Sequence, residues 1–208
     1  MLPQLETPRL VLRELCMDDA LALQAFQSRP SYLRCQAMEP KDFNDGVERV
    51  TRYMQYRGEG ERRWLYDFVA RLRSDGQVVG HGSLSRSAPG IASLGLGIDE
   101  VDAGRGLATE IALRLLAFGF NDLKLHRIEA DVAVENAACI RVLEKIGMFR
   151  EGVAHDCIFA QGRWWTEAKY AMLARDHAGL VFTARRNQNI PAAPIRLLPR
   201  CNARVRLP

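Results

Sequence analysis

The 208-residue chain lacks any apolar stretch long enough to cross a bilayer. Its longest apolar run, near Ile111–Phe120, is broken by Arg114, whereas a spanning helix needs about 20 such residues. It also lacks a CxxC pair. Its cysteines (Cys16, Cys35, Cys139, Cys157 and Cys201) are odd in number and widely spaced, which argues against a zinc site or a disulfide framework and for a reducing compartment. The opening Met1-Leu2-Pro3-Gln4-Leu5-Glu6 has neither the basic nor the apolar segment of a secretory leader, so a cytoplasmic location is expected. No internal repeat is present. From Leu180 onward there is no acidic residue, only Arg185, Arg186, Arg196, Arg200, Arg204 and Arg206. Setting those six arginines aside turns the formal charge of +4 into −2 for residues 1–179. The body of the chain therefore offers no basic face of the kind nucleic acid requires.

What is present reads as one globular unit. A composition of 48% hydrophobic and 26% charged residues supports a single buried core. Arg9–Leu15 alternates apolar and polar residues as a strand does, and Asp18-Asp19 precede a helical stretch to Gln27. A second helix is expected over Asp42–Arg57 with Val47, Val50 and Met54 on one face. Trp64–Arg71 and Val78–Ser85 form a predicted hairpin across Asp75-Gly76, followed by a strand at Ile91–Ile98. In Val101–Phe120, the rows Leu107, Ile111, Leu115 and Ala108, Ala112, Leu116 make a wide apolar stripe, with Glu110 and Arg114 opposite it. A strand at Arg127–Val134, a helix at Ala137–Ile146 stopped by Gly147, and strands at Gly152–Phe159 and Trp165–Leu173 complete the pattern. The expected order is β-α-α-β-β-β-α-β-α-β-β, a mixed α/β (α+β) arrangement. Residues 178–208 lose this periodicity and contain four prolines, so a domain over 1–176 and a poorly ordered basic tail over 177–208 are expected.

The chemistry-bearing stretch is the strand–turn–helix junction Asp99-Glu100-Val101-Asp102-Ala103-Gly104-Arg105-Gly106-Leu107-Ala108-Thr109. Glycines where a helix begins leave its first amide N–H groups open, and those amides together with the helix dipole attract an anion such as a pyrophosphate. The pattern is neither GxxxxGK[ST] nor GxGxxG, since Thr109 stands where the last glycine would be. A tight turn without a ligand would use the same glycines. Gly95 and Gly97 inside the preceding strand mark a bulge or a close backbone approach by a ligand.

Taken in order, Gly104–Glu110, His126-Arg127-Ile128, Glu135–Gly147 and Glu151-Gly152 resemble the GNAT superfamily of acyl-CoA-dependent N-acyltransferases. Glu6-Thr7-Pro8-Arg9-Leu10 and Tyr170-Ala171-Met172-Leu173 place the resemblance in its RimJ/RimL-like branch, over about residues 5–174. The resemblance implies a mostly antiparallel sheet splayed at a CoA cleft and acetyl-CoA as co-substrate, with no metal. Its (Q/R)xxGx(G/A) signature falls on Ala103–Ala108. Amides from Gly104, Arg105, Gly106, Leu107, Ala108 and Thr109 would hold the pyrophosphate, and Leu96, Gly97 and Ile98 would pair with the pantetheine arm. Asn136 would contact the cofactor. Ala103 replaces the usual Gln or Arg, which removes a side-chain contact but no backbone donor. Asp99, Glu100 and Asp102 crowd the phosphate site and would have to face solvent, offset by Arg105, Arg141 or Lys145.

Proton transfer is less legible. Attack on a thioester needs a neutral amine, so a substrate ammonium must lose a proton first. The candidates are Glu167, Asp67, His81, or water leading out through the strand cleft; Glu167 also suits a hairpin rim, and His126 and Arg127 read as structural. Cys139 stands where the branch's NxxS pattern has a serine proposed to protonate the leaving thiolate. A thiol at a helix N-terminus could donate that proton, or its pKa could fall too far to do so; a small buried residue is the plainer reading. Tyr53, Tyr56, Trp64, Tyr66 and Trp164-Trp165 could line an acceptor pocket, although Trp64 and Tyr66 alternate as core residues do. The expectation is transfer of acetyl to a primary amine, on a small molecule or a protein N-terminus, by direct attack in a ternary complex, with homodimers common among relatives. Two rivals are a non-catalytic acyl-CoA-binding module and an interaction protein acting through the arginine tail.

Overall fold

The computed structural model describes residues 4–38, 43–60 and 63–178. These form one sheet of eight strands: β1 (Gln4–Glu6), β2 (Leu10–Glu14), β3 (Leu65–Leu72), β4 (Val78–Ala88), β5 (Ile91–Ile98), β6 (Arg127–Ala133), β7 (Phe149–Ala160) and β8 (Arg163–Leu173). Their order is β1-β2-β3-β4-β5-β6-β8-β7, and every pairing is antiparallel except β5 with β6. The helices are α1 (Ala20–Gln27), α2 (Pro30–Leu33), α3 (Phe43–Tyr56), α4 (Leu107–Ala117) and α5 (Ala137–Lys145). No helix among the described residues is long and apolar enough to cross a membrane.

Local chemistry accounts for most boundaries. The β3–β4 hairpin closes through Leu72 N–H to Gln77 O (2.9 Å) and Gly76 N–H to Leu72 O (2.9 Å). Gly76 supplies the φ of +76° that the turn demands. α5 ends in a Schellman motif, with Met148 N–H bonded to Leu143 O and Gly147 N–H to Glu144 O at 3.0 Å each, and Gly147 at φ +86°. Gly147 thus stops the helix as its position indicates. The structure adds β1, α2 and a 3-10 turn at Met17–Asp19, all too short to carry a periodicity in sequence. The stretch from Val101 is not one helix: a 3-10 turn spans Glu100–Asp102, α4 starts only after Gly106, and a π turn follows at Phe118–Asp122.

Helices pack on both faces of the sheet. On one face α4 and α5 bury Leu107, Ile111, Leu115, Leu116 and Leu143 against Phe68, Leu84, Leu94 and Ile128, as the apolar stripe foretells. On the other, α1 and α3 bury Leu23, Phe26, Val50 and Tyr53 against Val69. Two expectations fail here. Met54 is 41% exposed, and Tyr53 takes the core position because its hydroxyl donates to the fully buried Glu14 at 2.5 Å. Glu110 does not face open solvent across from the stripe; it is bonded by Thr7 and Arg9 at the turn between β1 and β2. Asp42 and residues 179–208, with the six tail arginines, lie outside the described residues. His177, inside them, is buried against the Phe120 ring.

Candidate active site

The sheet parts at its one parallel junction. β5 and β6 pair only over Ile91–Ser93 with Arg127–Glu129. Beyond that point Leu94–Ile98 continue with β4, and Ala130–Ala133 continue with β8. The facing edges of the two strands are left without each other, in a polypeptide whose backbone groups are obligatory hydrogen-bonding groups. A cavity of about 150 Å³ occupies the parting, lined by Leu94–Leu96, Ala130–Ala133, the residues Cys35–Ala37 after α2, and Asn136, Cys139, Leu143 and Glu167.

α4 follows the open edge of β5 in the chain, after residues 99–106. Its N-cap, Gly106, lies at φ +78° and Gly104 at φ +77°, both in the left-handed region that favours glycine. The first helical hydrogen bond runs from Glu110 N–H to Gly106 O (3.2 Å), so the amides of Leu107, Ala108 and Thr109 have no intrahelical acceptor. A Cβ built on Gly104 meets nothing within 4 Å, and Gly104, Arg105 and Gly106 are exposed. The loop is braced from beneath by Arg9, whose Nη1 donates to Arg105 O (2.9 Å) while its Nε bonds Glu110 (2.7 Å). Exposed amides, a helix dipole and missing side chains fit a phosphate group. The carboxylates nearby are handled differently from the expectation. Asp99 and Asp102 are buried rather than solvent-facing. Asp99 caps the Glu100–Asp102 turn and pairs with Arg29, and Asp102 pairs with Arg105. Burial is tolerated because each carboxylate has a guanidinium partner; Arg141 and Lys145 stand exposed on α5.

Across the opening, Asn136 caps α5: its Oδ1 accepts from Cys139 N–H (3.0 Å) and its Nδ2 donates to Cys35 O (3.3 Å). Its side chain thus ties the Cys35–Ala37 wall to the helix. Burial pushes the Cys139 thiol up to about 11, so it keeps its proton at neutral pH despite its place in the first turn of α5. Glu167, opposite Ala133 in the register, is buried and lines the same cavity. Lys169 Nζ bridges Glu167 Oε2 (2.9 Å) and Asp131 Oδ2 (2.8 Å). The structure therefore brings Leu96, Asn136, Cys139 and Glu167 to one cavity, with Gly97 and Ile98 continuing the open edge of β5. His126 and Arg127 lie at the start of β6, where Arg127 is held by both carboxylate oxygens of Glu151.

The aromatic candidates disperse. Tyr53, Tyr66 and Trp165 are buried in the core, whereas Trp64 and Trp164 are 45% and 57% exposed; none lines the cavity. Trp64 sits just before β3 and so escapes the alternation that buries Tyr66. The side chain of Tyr56 lies outside the described residues. The aromatic that does reach β5 is Tyr32 of α2. A Cβ on Gly97 would fall 2.5 Å from both Tyr32 Oη and His81 Nε2. Pro30 at the first helical position was the available signal for α2, since proline is favoured there.

The family model described as the acetyltransferase (GNAT) domain matches residues 9–149. The chain belongs to the GNAT acetyltransferase family. It is 31% identical over 153 residues to the probable N-acetyltransferase YjcK of Bacillus subtilis, covering 66% of this chain and 84% of that one. A crystal structure of a GNAT acetyltransferase from Bacillus anthracis superposes with a TM-score of 0.73 at 28% identity, covering 84% and 99% of the two chains. RimJ of Mycobacterium smegmatis, solved in complex with CoA-disulfide, gives a TM-score of 0.72 at 25% identity, covering 89% and 94%. The mixed architecture with an open, mostly antiparallel sheet is the GNAT fold, and GNAT domains are acyltransferases.

Proposed function

We propose that this protein transfers acetyl from acetyl-CoA to a primary amine, on a small molecule or a protein N-terminus, by direct attack in a ternary complex. The observation that carries this reading is the parting of β5 from β6, with the free end of β5 leading through residues 99–106 into an α4 N-terminus with open amides. The amides of residues 104–109 take the pyrophosphate, and the free edge of Leu96–Ile98 takes the pantetheine arm as a strand would. That arrangement directs the thioester into the opening between the strands. A backbone N–H of β5 then serves the developing oxyanion, and such preorganised donors commonly supply the largest catalytic effect. Holding both substrates in one cleft supplies much of the remainder.

Cys139, protonated at neutral pH and lining the cavity, is the proton source for the leaving thiolate. Glu167 and Asp131 give the cavity negative charge on the side where an ammonium must arrive. Lys169 Nζ bridges these two carboxylates, and an arriving ammonium shares them with it.

Thiol release from acetyl-CoA on addition of spermidine, L-amino acids and short peptides with free N-termini tests the reading. Amine-dependent release with formation of the N-acetyl product is expected. Binding of acetyl-CoA without release for any amine would instead leave a CoA-binding module of the same fold.

A further inference from the structure

Of the candidate bases read from the sequence, the buried histidine on β4 has been given no role so far. His81 on β4 is 7% exposed, and its imidazole leans over Gly97, its partner on β5. Nε2 lies 3.3 Å from Tyr32 Oη. Nδ1 lies 3.8 Å from Asp67 Oδ1, beyond hydrogen-bond reach, and has no hydrogen-bond partner among the described residues. Glycine at position 97 is what admits this approach, since a Cβ there would collide with both Nε2 and Tyr32 Oη. Gly95, two residues back on the same face of β5, lines the cavity, and two residues along a strand span roughly 7 Å. The ring thus sits one strand repeat from the cavity wall, over the stretch of β5 whose far edge is open. Glu167, in contrast, already has its Oε2 occupied by Lys169.

We infer that His81 is the group that takes the proton from the acceptor amine, with Asp67 stabilising the imidazolium and Tyr32 setting the ring's orientation. This inference rests on the acetyl-transfer reading above. The acceptor arrives as an ammonium and gives one N–H proton, through an intervening water, to His81 Nε2. Its freed lone pair forms the N–C bond at the thioester carbonyl, and the C–S bond breaks with its electron pair left on sulfur. The thiolate takes its proton from Cys139, which the second nitrogen proton restores, and the imidazolium releases its proton to solvent. The sum is ammonium plus acetyl-CoA giving amide, CoA thiol and one proton. The ionisable groups on elements packed around the ring are Asp67 on β3, Tyr32 on α2, and the Arg29–Asp99 pair where α2 meets the end of β5. The only ring stacked near it is Phe26 of α1, among the described residues.

The test is kcat/KM against pH, by thiol release at saturating acetyl-CoA, for the wild-type full chain, His81→Gln and Glu167→Gln. The wild type is expected to show a rise with pH. His81→Gln loses that rise and falls 100-fold or more near neutrality, within the usual contribution of a positioned base. It keeps its acetyl-CoA-induced thermal shift, which shows that fold and cofactor site survive. In His81→Ala, added imidazole restores turnover, and Glu167→Gln retains the rise. A His81→Gln enzyme within 3-fold of wild type with the rise intact, or loss of the rise in Glu167→Gln, overturns the assignment. Absence of turnover by the wild type with every amine overturns acetyl transfer itself and the inference with it.

Discussion

Gly82 is the position where the sheet lets α4 come close. A Cβ there would lie 2.7 Å from Ile111 Cγ2 and 2.7 Å from Leu115 Cδ1, against ordinary carbon contacts of about 3.5–4.0 Å. Both neighbours are fully buried, and Ile111 is β-branched, so neither can simply swing aside. Gly82→Ala must therefore lift α4 from β4 by about 1 Å or distort the strand. Overpacking of this kind costs about 1–3 kcal/mol. For a domain of this size each kcal/mol lowers Tm by about 2–4 °C, so a fall of about 2–12 °C is expected in a thermal melt at pH 7. Because α4 carries the open amides at its N-terminus, the same displacement weakens acetyl-CoA binding, measured by titration calorimetry. A variant that melts within 1 °C of wild type and binds acetyl-CoA equally well would refute the packing argument and the coupling drawn from it.

Asn136→Ala removes the cap of α5 and the tether to Cys35; it is expected to cost about 1 kcal/mol in a denaturant melt and to raise KM, whereas Asn136→Asp keeps the cap. Cys139→Ala should lower kcat while Cys139→Ser retains more of it, as read by thiol release; equal kcat in both would remove the thiol from the proton path. Burial raises the Glu110 carboxyl, but the bonds from Thr7 and Arg9 outweigh it and hold it below its usual value. Asp19 behaves likewise, burial being outweighed by Arg13, the Cys16 N–H and Arg71. Carboxyls depressed in the folded state stabilise it above their unfolded pKa and lose that contribution as pH falls through the folded one. Wild type should therefore weaken below about pH 4.5, and Glu110→Gln should be less stable at pH 7 by about 1 kcal/mol, with the gap narrowing as pH falls below that range. A gap independent of pH in urea melts would contradict this.

The long, periodic elements were legible because their apolar spacing is the packing itself: the stripe of α4 meets the sheet at the residues it names, and Gly147 ends α5 where its backbone must turn left-handed. The glycines at 104 and 106 were legible for the same reason, since their conformation excludes other residues at little cost. Less visible was anything decided by long-range partners. Arg9 and Glu110 are 101 positions apart, and Arg29 and Asp99 are 70 apart, yet these contacts brace the loop and neutralise its carboxylates. Nothing local in the sequence distinguishes Met54 from Tyr53 until the buried Glu14 is known. Nor does spacing join His81 to Tyr32, which meet only because α2, a single turn, lays its tyrosine over Gly97.

The most direct test of the central claim is thermal stability with and without acetyl-CoA, with ATP and NAD as controls, in wild type and in Gly106→Trp. Gly106 is left-handed at φ +78°, so the variant starts lower, and the comparison is the ligand-induced shift within each protein. Acetyl-CoA at about 100 times its Kd should add about 2.7 kcal/mol to the wild type. The account predicts a shift specific to acetyl-CoA and lost in Gly106→Trp. No shift of the folded wild type at millimolar acetyl-CoA, or an equal shift in both proteins, would contradict it.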